Sequence, residues 1–314
     1  MKHTFISITI LLAILSACTP QATPTTAPVI NEPQPSLIST VVPEQPTDIP
    51  PIAVTVDTAT PTPESVKIDA SDWKNWPIIP ELSQQMLDVY ARGQELGRDP
   101  HTVSIVGDCE SSSDWFLKDF SKGDRFYNLG PYENLQATID YFNPSLGYAS
   151  HAAIRGATAV TVLTPLWADP KACDKGETPL GCEYRVHNSA FAIIALGTND
   201  IHKLDQFKPK MHEIIEYTLA QGIVPILVTK ADNLEGDGSI NYTIAELAAE
   251  YQLPVWNFWA AVQSLPGQGL QEDGAHLTFG SNFFNEPDKL QRAWPVRNLT
   301  ALQVLEAMRL AVQE

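Results

Sequence analysis

A cysteine lies at the point where a predicted strand ends. Residues 102–106 form a short β-branched run, and Gly107, Asp108 and Cys109 follow it directly. In a parallel α/β sheet, chemistry collects at the carboxyl ends of strands, where loops and helix N-termini meet. A helix N-terminus and free backbone N–H groups favour a thiolate and the oxyanion that its attack creates. Cys109 is therefore a candidate nucleophile for acyl chemistry, and a buried structural cysteine in a tight turn is the alternative.

Two later stretches carry the partners that such a nucleophile needs. Asn199 follows the apolar run at 190–196, and its side-chain amide can donate a hydrogen bond to an oxyanion. Asp273 and His276 are three residues apart, so the carboxylate can fix the imidazole tautomer and stabilise the imidazolium of a catalytic base. The alternatives are an Asx-turn at Asn199 and a solvated histidine in a surface turn.

These residues fall between strand and helix patterns that alternate along the chain. The predicted strands are 102–106, 125–129, 190–196, 223–229 and 253–258. Pro225 is a mild objection to a central position for the fourth strand. The first predicted helix opens at Pro80, buries Leu96 and ends at Gly97. The alternation predicts an α/β fold, a doubly wound (flavodoxin-like) parallel sheet with helices on both faces.

The order and placement of the three motifs resemble the SGNH hydrolase superfamily, the GDSL-like esterases and lipases, over residues 67–314. The resemblance implies that Cys109 is the nucleophile, His276 the base and Asp273 the residue that orients it. It also implies an oxyanion hole formed by Asn199, by the backbone N–H of Cys109 and by a glycine. Arg155-Gly156-Ala157-Thr158 resembles the family's glycine block, so Gly156 is the first choice for that glycine. Gly130 is the second choice.

The chain departs from this family at the nucleophile, which is serine in the family and cysteine here. Three interpretations stay open. Cys109 is a working nucleophile, because a thiol is intrinsically more nucleophilic than a hydroxyl. Alternatively, the site has lost hydrolysis and kept binding, or Ser111, Ser112 or Ser113 acts in its place. Glu110 is expected to face solvent, since an inward carboxylate would oppose a thiolate.

The N-terminus has the pattern of a bacterial lipoprotein signal. Residues 1–17 hold a basic start and a short apolar run, and they end in Leu-Ser-Ala before Cys18, which resembles a lipobox. We expect Cys18 to be lipidated and to anchor the protein in the bacterial cell envelope, outside the cytoplasm. Ordinary secretion is the alternative. Residues 18–66 are rich in proline and threonine and predict a disordered tether, before a domain at 67–314.

The remaining cysteines can be assigned from this placement. The chain has four cysteines, and Cys173 and Cys182 flank a short loop with glycine and proline that a disulfide could close. If Cys18 carries lipid, Cys109 is then the unpaired thiol. A free thiol in an oxidising compartment is a liability unless it is buried or used.

Charge and histidine spacing exclude several classes of partner. The formal net charge is −17, with 37 acidic against 20 basic side chains, which argues against nucleic acid. The histidines show no metal-ligand spacing, so neither a metal nor a cofactor is expected. The acidic, glycine-rich segment 232–238 is expected to be a plain surface loop. The resemblance implies hydrolysis of a carboxylic ester in a small molecule or a polysaccharide, acetyl esters included. The alternatives are a catalytically silent glycan- or lipid-binding lipoprotein and an acyltransferase.

Overall fold

The computed structural model of the chain describes residues 69–313. The predicted signal peptide at 1–17, the lipidation at Cys18 and the tether at 18–66 lie outside the described residues. The start of the predicted domain at residue 67 lies outside them too. Within the described part of the chain, no helix has both the length and the apolarity needed to cross a bilayer.

Within residues 69–313, six strands form two separate parallel sheets. The strands are β1 (Asp99–Gly107), β2 (Tyr127–Asn128), β3 (Ser189–Ala195), β4 (Val224–Val228), β5 (Val255–Trp256) and β6 (Asn282–Phe283). The main sheet has the order β1-β3-β4-β5, and β2 pairs only with β6. All pairs in the main sheet are parallel. The carboxyl ends of its strands therefore meet at one edge, as predicted from the sequence.

The two inner strands of the main sheet are apolar along their length. Every residue of β4 is buried, and β3 is buried from Ser189 to Ile194, as expected for strands covered on both faces. Pro225 lies opposite Ala192 near the amino end of β4. The objection that Pro225 raised to a central position was therefore wrong. A proline at this end of the strand removes a backbone donor only where the ladder begins.

The strand predicted at 125–129 is not part of the main sheet. Only Tyr127 and Asn128 are extended, and they pair with β6, while a 3₁₀ helix occupies Asp124–Phe126. The outer edge of β1 is instead covered by the segment around Ala152. Gly107 donates a backbone hydrogen bond to the carbonyl of Ala152 and accepts one from Ile154. The position that a fifth strand would take is therefore occupied at this end of β1 by non-strand chain.

Serine hydroxyls form hydrogen bonds with further backbone groups at the same edge of β1. The Ser145 hydroxyl accepts from the backbone N–H of Val103 at 2.9 Å and lies 2.9 Å from its carbonyl. The Ser150 hydroxyl donates to the carbonyl of Ile105 at 2.6 Å. An exposed strand edge invites pairing with another chain. Here side chains and irregular chain occupy its hydrogen-bonding groups.

Nine α-helices lie within the described residues and cover both faces of the sheet. They are α1 (Gln84–Glu95), α2 (Cys109–Ser112), α3 (Gln136–Leu146), α4 (Ala159–Val162), α5 (Pro179–His187), α6 (Leu204–Ala220), α7 (Ser239–Tyr251), α8 (Phe258–Val262) and α9 (Ala293–Ala311). Helices α4 to α7 contact one another as one group, and α3 contacts α9 in another. Tyr90 of α1 and Phe142 of α3 both pack on Phe191 of β3.

Short 3₁₀ helices fill several of the connections between these elements. They are Ala70–Asn75, Lys118–Ser121, Asp124–Phe126, Gly130–Leu135, Pro165–Trp167, Asp200–His202, Pro266–Gly269 and Lys289–Gln291. The one at Asp200–His202 follows the carboxyl end of β3 and so lies next to the predicted site.

Helix α1 begins later than its proline suggests. The Ser83 hydroxyl accepts from the backbone N–H of Met86, which sets the start at Gln84 rather than at Pro80. Leu96, predicted to be buried, is 60% exposed because the helix ends at Glu95. A serine N-cap satisfies an orphan N–H group that Pro80 could not.

The predicted disulfide between Cys173 and Cys182 is present. It joins the loop before α5 to the first turn of that helix. Among the described cysteines, Cys109 is the free thiol. The pairing expected from the cysteine count within 69–313 is therefore found, while Cys18 lies outside that range.

Candidate active site

Cys109 begins a sharp turn at the carboxyl end of β1. Asp108 caps α2, and its carboxylate accepts from the backbone N–H of Glu110 at 3.1 Å. Gly107 allows the chain to turn closely here, because a Cβ atom on it would lie 2.7 Å from the carbonyl oxygen of Ala195. The Gly-Asp-Cys sequence thus places the thiol at the mouth of the sheet, where Cys109 is partly buried.

Asn199 stands beside this turn, just after β3. Its Nδ2 group donates to the carbonyl of Ala157 at 3.1 Å and lies 3.5 Å from the Asp108 carboxylate. The second contact is long for a hydrogen bond, so that hydrogen is the one available to an incoming oxyanion. Asn199 lines a cavity of about 180 Å³ together with Cys109 and His276.

A buried ion cluster holds the turn that carries Asn199. The Lys230 ammonium contacts Asp232 at 2.6 Å and Glu235 at 2.5 Å, and all three side chains are buried. Asp232 also accepts from the hydroxyl of Thr198 at 2.7 Å. The expectation that 232–238 is a plain surface loop was therefore wrong at Asp232 and Glu235. Lys230, which lies before this segment in sequence, draws the acidic side chains inward.

Of the two candidate glycines, Gly156 lies beside Cys109. Gly156 lines a cavity of about 560 Å³ together with Cys109 and His276. Its φ of +76° is a conformation that side chains other than glycine rarely adopt. Gly130, the second choice, packs against the backbone of Asn285 and lines a different cavity.

Asp273 and His276 form a closed pair on one turn of chain. Oδ2 of Asp273 accepts from Nδ1 of His276 at 2.6 Å, and Oδ1 accepts from the backbone N–H groups of Ala275 and His276. These hydrogen bonds, with that to Ala275 the largest, hold the pKa of Asp273 at about 2. The hydrogen bond to Asp273 in turn raises the pKa of His276. His276 is thereby fixed with Nδ1 occupied and Nε2 free.

The thiol and the imidazole meet across the same cavity. Sγ of Cys109, a carboxylate oxygen of Glu110 and a ring nitrogen of His276 all lie within 4.8 Å of one another. The three residues also line the 560 Å³ cavity. Residues that are 167 positions apart in sequence are thus brought within 4.8 Å of one another, and Cys109 and His276 must still close up to form a hydrogen bond.

The electrostatics of the site favour the protonated thiol. Burial, and then the carboxylates of Asp108 and Glu110, raise the pKa of Cys109 to about 11. The expectation that a helix N-terminus would favour a thiolate was therefore wrong. Helix α2 has four residues, so its dipole is small beside two adjacent carboxylates. Cys109 must lose its proton during a reaction rather than before it.

Glu110 does not face solvent, contrary to the expectation from sequence. Its Oε1 accepts from the backbone N–H of Leu277 at 3.2 Å. Its Oε2 is shielded from solvent and has no hydrogen-bond partner among residues 69–313. Burial raises the pKa of Glu110, and the positive charge of Arg297 opposes that effect. The Glu110 side chain turns inward because it supplies the acceptor for the backbone N–H of Leu277.

Arg297 is a part of the site that the sequence analysis missed. It is 5% exposed, and its guanidinium lies 4.7 Å from the ring centre of Phe116, 5.5 Å from Trp256 and 5.2 Å from Phe258. A buried guanidinium is costly unless carboxylates or π-faces compensate it. Arg297 interacts most with Glu110 and next with Asp108. Helix α9 also carries Glu306 and Arg309, so an arginine at this position gave no sequence signal of its burial.

A small polar cavity is lined by Arg297 and by the carboxylates of Asp108 and Glu110. Its volume is about 30 Å³. A polar cavity of this size can hold a water molecule. Nε and Nη2 of Arg297 have no hydrogen-bond partner within the described chain and are the donors that such a water would use.

Comparisons with known proteins give only distant likenesses. The chain matches no protein-family model and no curated protein. Among solved structures it is similar to a GDSL-like lipase from Bacteroides thetaiotaomicron, with 17% identity over 71% of this chain and 98% of the other, at a TM-score of 0.43. It is also similar to an acetylxylan esterase from Geobacillus stearothermophilus, with 14% identity over 65% and 93%, at a TM-score of 0.39.

Proposed function

We propose that this protein is an ester hydrolase of the SGNH type that uses Cys109 as its nucleophile. The supporting observation is that Cys109, His276 and Gly156 line one cavity, with Asn199 at its side and Asp273 bonded to the imidazole. A nucleophile, a base, an orienting acid and oxyanion donors are the parts that acyl transfer requires.

The first step is attack by a thiol that is neutral at rest. Nε2 of His276 takes the proton of Cys109 while the sulfur forms a bond to the ester carbonyl carbon. The electron pair of the carbonyl moves onto its oxygen. Asp273 stabilises the imidazolium that results, which is the role its hydrogen bond to Nδ1 allows.

The oxyanion then needs hydrogen-bond donors. The proposed donors are the backbone N–H groups of Cys109 and Gly156, which line the 560 Å³ cavity, and the Nδ2 group of Asn199, which lines the 180 Å³ cavity with Cys109. A single donor of this kind contributes about 10²–10³ in rate. Three donors on three separate segments hold the tetrahedral intermediate against the sulfur.

Collapse of the intermediate completes the two half-reactions. The C–O bond breaks, His276 returns its proton to the leaving alkoxide, and a thioester on Cys109 remains. A water molecule then gives its proton to His276 and attacks the thioester. The C–S bond breaks, the acid leaves, and the sulfur regains a proton from His276.

The presence of an oriented base favours hydrolysis over silent binding. A binding protein has no use for an imidazole whose tautomer is fixed by a carboxylate. Acyl transfer to a sugar hydroxyl uses the same residues, with the hydroxyl in place of water. The serine alternatives are weaker, because Ser111 is buried and the Ser112 hydroxyl donates to the carbonyl of Cys109.

The proposed substrate is a carboxylic ester of a small molecule or a polysaccharide, acetyl esters included. The 560 Å³ cavity is open and carries both aromatic and polar side chains, among them Trp115, Phe279 and Gln271. Rings of this kind offer flat apolar faces, and the polar groups between them can bind hydroxyls. No cofactor is needed for this reaction.

We also propose that the protein is held at the cell envelope through a lipid on Cys18. This proposal rests on the Leu-Ser-Ala-Cys sequence alone. A Cys18→Ala variant is expected to leave the membrane fraction. If it stays in that fraction to the same extent as the parent, this part of the proposal is wrong.

The function is tested by hydrolysis of a small activated ester by the full-length protein. Cys109→Ala and His276→Ala are expected to abolish turnover, while Ser112→Ala is expected to keep it. Full activity in Cys109→Ala would overturn the proposal. An inert parent with activity in Cys109→Ser would instead favour the silent binding protein.

A further inference from the structure

We propose that Cys109, Glu110 and His276 form a binding site for a zinc ion, and that zinc bound there blocks the thiol. Each residue offers one ligand atom, and these three atoms lie within 4.8 Å of one another. Zinc binding itself does not depend on the proposed hydrolysis. The inhibition rests on that proposed function.

Zinc binds this set of donor atoms more readily than harder cations do. A thiolate sulfur, an imidazole nitrogen and a carboxylate oxygen bind zinc at about 2.0–2.3 Å in a tetrahedral arrangement. Ligand atoms in that arrangement are about 3.5 Å apart. The side chains of Cys109, Glu110 and His276 therefore need only a small closing movement. A sulfur ligand disfavours magnesium and calcium, which prefer oxygen.

Both non-sulfur ligands are already held by a second contact. Nδ1 of His276 is bound to Asp273 at 2.6 Å, which leaves Nε2 for the ion. Oε1 of Glu110 accepts from the backbone N–H of Leu277, which leaves Oε2 free. Such outer contacts orient the ligands of metal sites and raise their basicity. The same Asp273 contact that prepares a base also prepares a zinc ligand.

The unpaired Glu110 oxygen is the observation that distinguishes this site from a plain Cys–His pair. Oε2 is shielded from solvent and has no hydrogen-bond partner among residues 69–313. A buried carboxylate oxygen without a partner is costly, and a cation would remove that cost. Catalysis by Cys109 and His276 gives this oxygen no role.

A second cluster in the described chain does not compete for the ion. His151 lies near Cys173 and Cys182, but these two sulfurs are joined in the disulfide. A disulfide sulfur carries no thiolate charge, and the thiolate is the ligand that zinc binds. The Cys109 cluster is the one that offers a free thiol.

Three protein ligands leave one tetrahedral position open. All three residues line the 560 Å³ cavity, from which water would fill that position. Binding releases the Cys109 proton to solvent and forms the S–Zn, N–Zn and O–Zn bonds to Cys109, His276 and Glu110. Sulfur and Nε2 are then both occupied, so neither attack nor proton transfer can take place. Removal of zinc restores both groups.

Cobalt(II) titration of the full-length protein tests the site without any substrate. Tetrahedral cobalt bound to sulfur gives a near-ultraviolet charge-transfer band, and this band is expected in the parent. Cys109→Ser is expected to lose the band, and Glu110→Gln to bind cobalt about 10- to 100-fold more weakly. Circular dichroism checks that both variants are folded. A parent without the band would overturn the proposal.

Asp114→Asn is the matched control for Glu110→Gln. Asp114 also lines the cavity, is exposed, and loses the same negative charge in the variant. It is expected to bind cobalt as the parent does. Equal weakening in Asp114→Asn and Glu110→Gln would mean that charge alone attracts the ion, and would overturn Glu110 as a ligand.

Zinc inhibition then separates this proposal from the proposed function. Zinc is expected to stop ester hydrolysis and a chelator to restore it, with weaker inhibition in Glu110→Gln relative to its own zinc-free rate. A cobalt band in a protein that hydrolyses no ester would support the metal site and contradict the proposed ester hydrolysis. Ester hydrolysis without any cobalt or zinc binding would support the proposed function and contradict the metal site.

Discussion

Both oxygens of the Asp273 carboxylate contact His276. Oδ2 accepts from Nδ1 of the ring at 2.6 Å, and Oδ1 accepts from the backbone N–H of the same residue at 3.0 Å. One side chain therefore fixes both the position of the histidine and its tautomer. The pair is about half exposed, so the tight turn rather than burial gives it its geometry.

The pH dependence of activity follows from this contact. The base must be neutral, so kcat/KM is expected to rise with pH through the pKa of His276, which Asp273 raises above its usual value. In Asp273→Asn the imidazolium loses its partner, its pKa falls, and the rise moves to lower pH. The rate on the plateau falls by about 10²–10⁴-fold, the size of a general-base contribution. A pH profile that does not move would contradict the role of Asp273.

The thiol is expected to be sluggish towards alkylating reagents at neutral pH. Burial and the charges of Asp108 and Glu110 raise the pKa of Cys109 to about 11, and only the thiolate reacts. The rate of alkylation, followed by mass spectrometry of the Cys109 peptide, should therefore still be rising well above pH 8. Glu110→Gln removes one charge and should speed alkylation about tenfold for each unit by which the pKa falls. A rate that levels off near neutral pH would contradict this account.

Removal of the buried guanidinium should destabilise the fold. Arg297→Met removes the positive charge that acts on Glu110 and Asp108, and buried polar groups left uncompensated cost about 1–3 kcal/mol of unfolding free energy. Arg309→Met, on the same helix and only partly buried, is the control and should cost less than about 1 kcal/mol. Urea unfolding at pH 8 measures both.

The loss in Arg297→Met should shrink in acid. The pKa of Asp108 is already raised to about 6 by burial, and removal of Arg297 raises it further. A group with a raised pKa in the folded state stabilises it below the unfolded value and loses that stabilisation as pH rises. The difference between parent and variant is therefore expected to be smaller at pH 5 than at pH 8. An equal difference at both would show that the carboxylates are not involved.

The two glycine candidates can be separated by matched substitutions. Gly156 and Gly130 both have positive φ, at +76° and +53°, so alanine strains the backbone at either position by about 1–2 kcal/mol. Gly156→Ala displaces an oxyanion donor and should lower kcat by up to about 10²–10³-fold with little change in KM.

Gly130→Ala is the control for that strain. Its added Cβ would meet the backbone of Asn285, so this variant should lose stability and keep kcat. Steady-state kinetics with thermal unfolding of both variants makes the comparison. A larger loss of kcat in Gly130→Ala than in Gly156→Ala would contradict the assignment of Gly156 as the oxyanion donor.

The sequence predicted those parts of the fold and site in which the signal is local. The strands β1, β3, β4 and β5 contain β-branched or apolar runs bounded by turn residues, and the Cys109 and Asn199 motifs each follow the end of such a run. Asp273 and His276 are three residues apart, so their contact is decided by one turn of chain. The strand predicted at 125–129 was placed wrongly because an apolar run does not specify which edge it joins.

The remaining features depend on contacts between distant segments. Glu110 turns inward because Leu277, 167 residues later, needs an acceptor. Arg297 lies against three aromatic rings from two other segments, which helical periodicity cannot show. Burial, and then the charges of Asp108 and of the inward-turned Glu110, raise the pKa of Cys109, so the second of these charges depends on that distant contact. Charges in the interior are the part of this site that sequence patterns left out.

Trapping of the acyl-enzyme tests the central claim most directly. The full-length protein is mixed with an activated acetyl ester, quenched in acid during turnover and digested, and the peptides are analysed by mass spectrometry. The account predicts one acetyl group on Cys109, removed by hydroxylamine as a thioester is, and formed much more slowly in His276→Ala. Turnover with the acetyl group on Ser111, Ser112 or Ser113, and with Cys109 unmodified, would contradict it.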